Sequence, residues 1–392
     1  MHPCPCQCLR MKSLNLFMKQ SCTRLLTSEI SKGGFKMAKQ ILKNPLFIIG
    51  FLFVFSLFAG SIYYQIAEDN YLPQTDLKYS EDGTLEGKSP FSPVEVPPLG
   101  TDKHGYHMWE QILIGAKYTI GLAVVIAFLR VVFSVLAGII TGTYFRKATK
   151  YLTGIVDSMH YVPIALLVYY LLSSVIMSDG MTGTYQYTFL ERVGFQVIIM
   201  ALVAIPTTTL LVSNETNSIW NREFIESART LGGSRFHILR KHVMPHLWPR
   251  LILVFVQQIV SVLILLLHLG LLKLFFGGTN VSFDLLGTEY MSSTYEWSGL
   301  IGFTYQYLAY QTWIPLVPIL FFTVTVLAFN LMLEGIKVSL ERSEAVAVKK
   351  KKKGEQKKPK TLSNYASEKD FQFLSYQERA ESEDMRQTVS SR

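Results

Sequence analysis

The chain has 392 residues, with 38 Lys+Arg against 29 Asp+Glu and a formal net charge of +9. Apolar residues make up 49% and charged residues only 17%, where a soluble protein carries roughly 25% charged. Four Cys, three of them in the first eight residues, are too few and too clustered to staple a secreted domain, which excludes that class.

A helix needs about 20 apolar residues to cross a bilayer core, because hydrocarbon leaves no backbone group a partner outside the helix. Six such runs occur, near 46–66, 112–142, 152–176, 193–212, 250–273 and 314–333. The first has no charge and no small-residue cleavage site after it, so it reads as an uncleaved anchor. The second contains Arg130; the third contains Asp157 and Pro163. Charges alternate between the runs. Residues 1–45 hold eight Lys/Arg and one acid, residues 67–110 three Lys and nine acids, and residues 143–151 three cations and no acid. The loop at 213–250 has six cations and three acids, whereas 274–313 has three acids and no cation. By the positive-inside rule the chain is an all-α polytopic membrane protein with six transmembrane helices and cytoplasmic N- and C-termini. Its basicity then reports orientation, and nucleic acid is not needed to explain it.

In chain order, a cytoplasmic leader at 1–45 comes first. Its Cys4, Cys6 and Cys8 lack the paired spacing of a zinc site, and Met37 would itself make a sensible start. The first span at 46–66 leads to an external loop at 67–110, rich in Pro, Gly and acids, with little regular helix expected. A five-helix core covers 111–337 and includes the cytoplasmic loop 213–250. The tail at 338–392 opens with Lys349–Lys353 and has the composition of a disordered segment, with membrane lipid within reach of its lysines.

The loop at 213–250 is chemically distinctive. Phe224, Ala228 and Leu231 recur at helical spacing, and Gly232-Gly233 stops that helix, since glycine enters the left-handed region without a Cβ clash. Ser234 can cap a second short helix, expected to end before Pro245. Such an exposed element can be pushed by a partner and pass the motion to the adjoining spans.

Glu226-Ser227-Ala228-x-x-x-Gly232, followed by His242-Val243-Met244-Pro245, resembles the coupling motif of ABC importer permeases, in the spelling of the oligopeptide, dipeptide and nickel branch. Pro98-Leu99-Gly100-Thr101-Asp102, Glu296-Trp297 and Leu327-Ala328-Phe329-Asn330 fall in the matching order, and the likeness to the C-type permease subunit extends over about 40–343. The chain departs from the pattern at Ser227, Tyr106, His107, His268 and Lys273, so the external and pore-facing parts are kept less well than the coupling end. The resemblance implies a type I importer permease in a bacterial plasma membrane. A second homologous permease, cytoplasmic ATP-binding subunits and an external solute-binding protein would be its partners. It also assigns ATPase coupling to Glu226, Ser227, Ala228, Gly232 and Pro245.

No G-x-x-x-x-G-K-[ST] phosphate loop occurs in the chain, so ATP hydrolysis must come from another polypeptide. Neither a catalytic residue nor a cofactor is expected. Arg130 lines the translocation path or pairs with an acid on another helix. His242 and His246 have a zinc-clamping spacing, but Pro245 lies between them; His104 and His107 are surface histidines or contacts for a metal solute. A degenerate permease acting as a membrane scaffold and a histidine-based membrane metalloenzyme remain alternatives to transport of a peptide or similar solute.

Overall fold

The structure, a computed structural model, describes residues 40–356 apart from 80, 81, 83, 181, 285 and 286. The leader with its three cysteines and the tail beyond 356 lie outside the described residues.

Helix α1 is Pro45–Glu68. Asn44 caps it, its Oδ1 accepting from the Leu46 N–H at 3.0 Å, and proline opens the first turn, where its missing N–H is harmless. A hairpin of β1 (Leu77–Tyr79) and β2 (Leu85–Lys88) follows in the loop at 67–110. Next come α2 (Met108–Thr143), α3 (Arg146–Met159), α4 (Ile164–Ile176) and α5 (Phe189–Trp220). The distinctive loop holds α6 (Glu223–Thr230) and α7 (Arg235–Ile238). A π turn at Leu239–Val243 joins α7 to α8, Met244–Leu271. A second hairpin, β3 (Thr279–Asp284) with β4 (Gly287–Ser292), precedes the short α9, Trp297–Thr304. The last helix, α10, is Trp313–Gln356.

Among the described residues, five helical stretches are long and apolar enough to cross a membrane: α1, α2, α5, Arg235–Leu271 and Trp313–Arg342 within α10. The expected third span differs. The run at 152–176 is not one helix; α3 and α4 meet at a bend of 79°. Pro163 explains the break, because it offers no N–H to the preceding turn and pushes Val162 out of helical backbone. The 13 residues of α4 rise about 20 Å, less than the hydrocarbon thickness, so α4 alone is too short to cross it.

The loop at 213–250 is also shorter than expected. α5 continues to Trp220, and although α7 ends before Pro245 as expected, helical backbone runs on from it without a break into α8. Met244 N–H bonds back to the Leu239 carbonyl, five residues earlier, and this widened turn carries the chain into Pro245, which sits in the first turn of α8. Helical backbone also continues from the expected tail boundary at 338 through the lysine run to Gln356, with no proline to stop it. Residues 341–356 belong to a second unit, apart from that of the spans.

The core lies where α2, α5 and α8 meet, around Ile126, Met200 and Val262. Lipid tails are as apolar as leucine, so helices in a bilayer associate through close packing rather than water exclusion. The segment Gly138-x-x-x-Gly142 supplies that closeness: a Cβ at Gly138 would sit 2.7 Å from Val212 Cβ, and one at Gly142 would sit 2.9 Å from the Ser213 carbonyl. α10 is tied in as well, through Asn44 Nδ2 donating to the Gly335 carbonyl at 3.0 Å.

Where α9 meets α2, Trp297 is 0% exposed. Its indole N–H donates to the Ile112 carbonyl at 2.9 Å, and its backbone N–H donates to Thr119 Oγ1 at 3.0 Å, both on α2. Glu296 caps α9, accepting from the Ser298 N–H and hydroxyl at 2.8 and 2.6 Å.

Asp102 organises the loop before α2. Its Oδ1 accepts from the His104 and Tyr106 N–H groups, each at 2.9 Å, and its Oδ2 accepts from Gln111 Nε2 at 2.8 Å. Burial pushes the Asp102 carboxyl above the usual aspartate range, and these hydrogen bonds only partly counter it. A carboxyl raised on folding contributes stability below its unfolded value, and that contribution is lost as pH rises through the folded value. Asp102→Asn should therefore flatten the fall in melting temperature between acidic and neutral pH, since Gln111 can turn its amide to keep the bond. Equal pH slopes for the two proteins would contradict this.

Candidate functional site

α6 is amphipathic, but its buried face is not the expected one. Ile225 is 0% exposed, whereas Phe224 and Leu231 face outward, Leu231 at 88%. Ala228 is half-buried beside Ile225, and Glu226 and Ser227 are exposed. The Ser227 hydroxyl donates to the Glu223 carbonyl at 3.1 Å, so its polarity is absorbed within the helix.

The helix ends as glycine dictates. Gly232 has φ +80°, which costs a residue with a Cβ but not glycine. Its N–H bonds to the Arg229 carbonyl at 2.9 Å, and the Gly233 N–H reaches the Ala228 carbonyl at 3.2 Å. This pair of bonds is a Schellman closure, which satisfies carbonyls that α6 would otherwise leave open. Ser234 Oγ then accepts from the His237 N–H at 3.3 Å and starts α7, as the sequence predicts.

Two buried anchors hold the turn to the long helices. Ile225 and Ile238 pack in one apolar cluster with Ile219 and Trp220 of α5, Val243 of the π turn and Leu247 of α8. Sequence reasoning found Ile238 as an apolar position of the second short helix and missed Ile225. The available signal for Ile225 was an isoleucine one position on from the outward Phe224, about 100° round the helix. Pro245 lies one residue before His246, whose ring centroid is 5.2 Å from that of Phe224. Glu226, Ser227, Ala228 and Gly232 are thus brought together on one short element, and Pro245 opens the helix behind it.

Arg130 is elsewhere. It is 1% exposed, inside the α2–α5–α8 contact. Its Nε and Nη2 donate to the Met200 carbonyl at 3.0 and 2.7 Å, and its Nη1 donates to Gln258 Oε1 at 3.4 Å. None of the ion pairs among the described residues includes it. A buried cation held only by neutral acceptors is an expensive pin, and apolar replacements of such groups are often neutral. Arg130→Met should leave thermal stability nearly unchanged. Arg130→Lys, which keeps the charge but loses the fork, should cost about 2 kcal/mol. Melting curves in detergent check the order, and a less stable Met variant would refute it.

The histidines have separate surroundings. His104 stacks on Phe303 with centroids 6.1 Å apart, and His107 Nε2 lies 3.1 Å from Thr75 Oγ1. Among the described residues, no group of three His, Cys, Asp or Glu is placed to hold a metal ion.

The family described as "Binding-protein-dependent transport system inner membrane component" matches residues 134–345, a stretch that contains both the short loop and the helices gripping it. The chain belongs to this family. It is a transmembrane permease subunit of an ABC importer, a multi-pass protein of the bacterial plasma membrane, and the family implies an ATP-binding subunit and a solute-binding protein as partners. Similar proteins include the glutathione transport system permease protein GsiD of Pectobacterium atrosepticum, 24% identical over 243 residues, covering 62% of this chain and 71% of that protein. The protein of the same name from Shigella dysenteriae is 23% identical over 251 residues, with coverage of 62% and 71%. Among solved structures, an inward-facing MetNI methionine ABC transporter gives a TM-score of 0.42 at 16% identity, covering 60% of this chain and 96% of that one.

Proposed function

We propose that this permease subunit is driven through α6. Glu226, Ser227, Ala228 and Gly232 form the surface that docks on a cytoplasmic ATPase, and Pro245 fixes the start of the helix that receives the movement. The observation that carries this reading is the two-sided character of the loop: Ile225 and Ile238 are buried against α5 and α8, while Leu231 and Phe236 are left exposed. An outward apolar edge on a rigid, internally satisfied turn is suited to a partner's groove. Closure of the ATPase on binding ATP shifts α6, and the shared apolar cluster passes that shift to α5 and α8. The spans then tip between inward- and outward-facing states.

A second, related permease completes the pore, and the termini lie in the cytoplasm, in keeping with the alternation of basic and acidic segments. The solute is a peptide or a similar small molecule, a reading supported by the naming of the glutathione permeases among the relatives. This chain performs no covalent chemistry. Co-purification from the membrane tests the assembly: an ATPase and a second permease should accompany the chain, and isolation of this chain alone would sink the proposal.

A further inference from the structure

A cavity of about 620 Å³ opens between the α2–α3 corner and the 221–234 loop. Tyr144, Lys147, Trp220, Arg229, Arg235 and Ile238 are among the residues that line it, and none of the described residues that line it is acidic. The guanidinium of Arg229 sits 5.0 Å from the centroid of the Trp220 ring, and Trp220 is itself buried, so that cation is held in place. None of the ion pairs among the described residues includes Lys147, Arg229 or Arg235. Glu223 and Glu226, on the same helix as Arg229, do not line the cavity. Three unneutralised cations around one hollow create a site for an anion, and Lys and Arg donors suit a phosphate oxygen in particular.

The surroundings select the source of that phosphate. Leu136 and Ile140 on α2 and Tyr144 just past its end are exposed and fall four residues apart, so they form an apolar stripe that ends at the mouth of the cavity. Beyond the mouth, α3 turns sharply from α4 and exposes Tyr151 and Ile155 beside its lysines. Aromatic and apolar side chains next to cations on a helix bent away from the spans mark the level of the lipid head groups. We propose that the cavity seats the phosphate head group of an anionic phospholipid, with an acyl chain lying along Leu136, Ile140 and Tyr144. The site depends on its own charges and shape, whatever the role of α6.

The test uses the full chain, purified with whatever subunits accompany it, stripped of lipid in detergent and titrated with phosphatidylglycerol or phosphatidylcholine. Native mass spectrometry reads the lipid retained. Phosphatidylglycerol should be retained about tenfold better or more, and Arg235→Gln should weaken it about fivefold, on the scale of one cation near an anionic head group. The triple variant Lys147→Gln, Arg229→Gln, Arg235→Gln should abolish the preference, and Ile140→Asn should weaken both lipids by disturbing the tail. Arg235 is exposed, so its single variant keeps the test decisive even where the triple variant fails to fold. Equal retention of the two lipids would overturn the assignment, as would an undiminished preference in Arg235→Gln. Displacement of phosphatidylglycerol by equimolar inorganic phosphate would make this a free-phosphate site, and cross-linking of Arg235 to a carboxylate of an accompanying subunit with no lipid retained would make it a protein contact; either result overturns the lipid.

Discussion

Gly232→Pro is expected to cut uptake of a labelled small peptide by roughly tenfold or more while ATP hydrolysis by the assembled complex continues. The magnitude follows from the turn. Proline fixes φ near −65° and has no N–H, whereas Gly232 has φ +80° and donates to Arg229; such a replacement in helical surroundings costs about 3 kcal/mol. A loss of about 1.4 kcal/mol already means a factor of ten in any equilibrium that depends on the turn. Membrane insertion should survive, because the spans are separate from the closure. Glu226→Lys is the complementary variant. Its side chain is exposed, so stability should change by no more than about 0.5 kcal/mol, yet the sign of the docking surface is reversed. Normal coupled uptake in both variants would remove α6 from the mechanism.

Trp297→Ala should have the largest effect on stability. The indole is fully buried and bonded to the Ile112 carbonyl, and Gly115 opposite it has no side chain with which to fill the gap. Truncation of a buried Trp costs about 3–5 kcal/mol, which corresponds to a fall in melting temperature on the order of 10 °C. Thermal unfolding of the purified protein in detergent measures this. A shift of only a degree or two would mean that the N-terminal part of α2 is held by something other than this contact.

The membrane-spanning part of this fold was legible because a bilayer demands long apolar runs, and those runs can be read without knowledge of tertiary contacts. The bend between α3 and α4 was not, since an apolar run does not record direction; Pro163 and the lysines ahead of it were the available clues. The hairpin of β3 and β4 escaped for a related reason: its six-residue strands sit between long helices and carry too weak an alternation to stand out. In the loop, the Gly232 stop and the Ser234 cap were readable because each rests on local backbone chemistry. The buried face of α6 was not, because Phe224 and Ile225 offer two neighbouring stripes, and only packing against α5 and α8 decides between them. Arg130 was conspicuous in the sequence as a charge inside a span, yet its acceptor could not be foreseen. A backbone carbonyl leaves no trace in the residue type that owns it.

Arg130 has a further consequence for energetics under a membrane potential. A unit charge carried across the whole bilayer exchanges about 2.3 kcal/mol with each 100 mV. Arg130 bonds to α5 through Met200 and to α8 through Gln258, so it cannot slide along the field without breaking those contacts or carrying three helices with it. Its displacement during transport is therefore a small fraction of the membrane thickness, and the work done on it by the potential is correspondingly small. A charge fixed in this way leaves the transport cycle almost blind to voltage on its account.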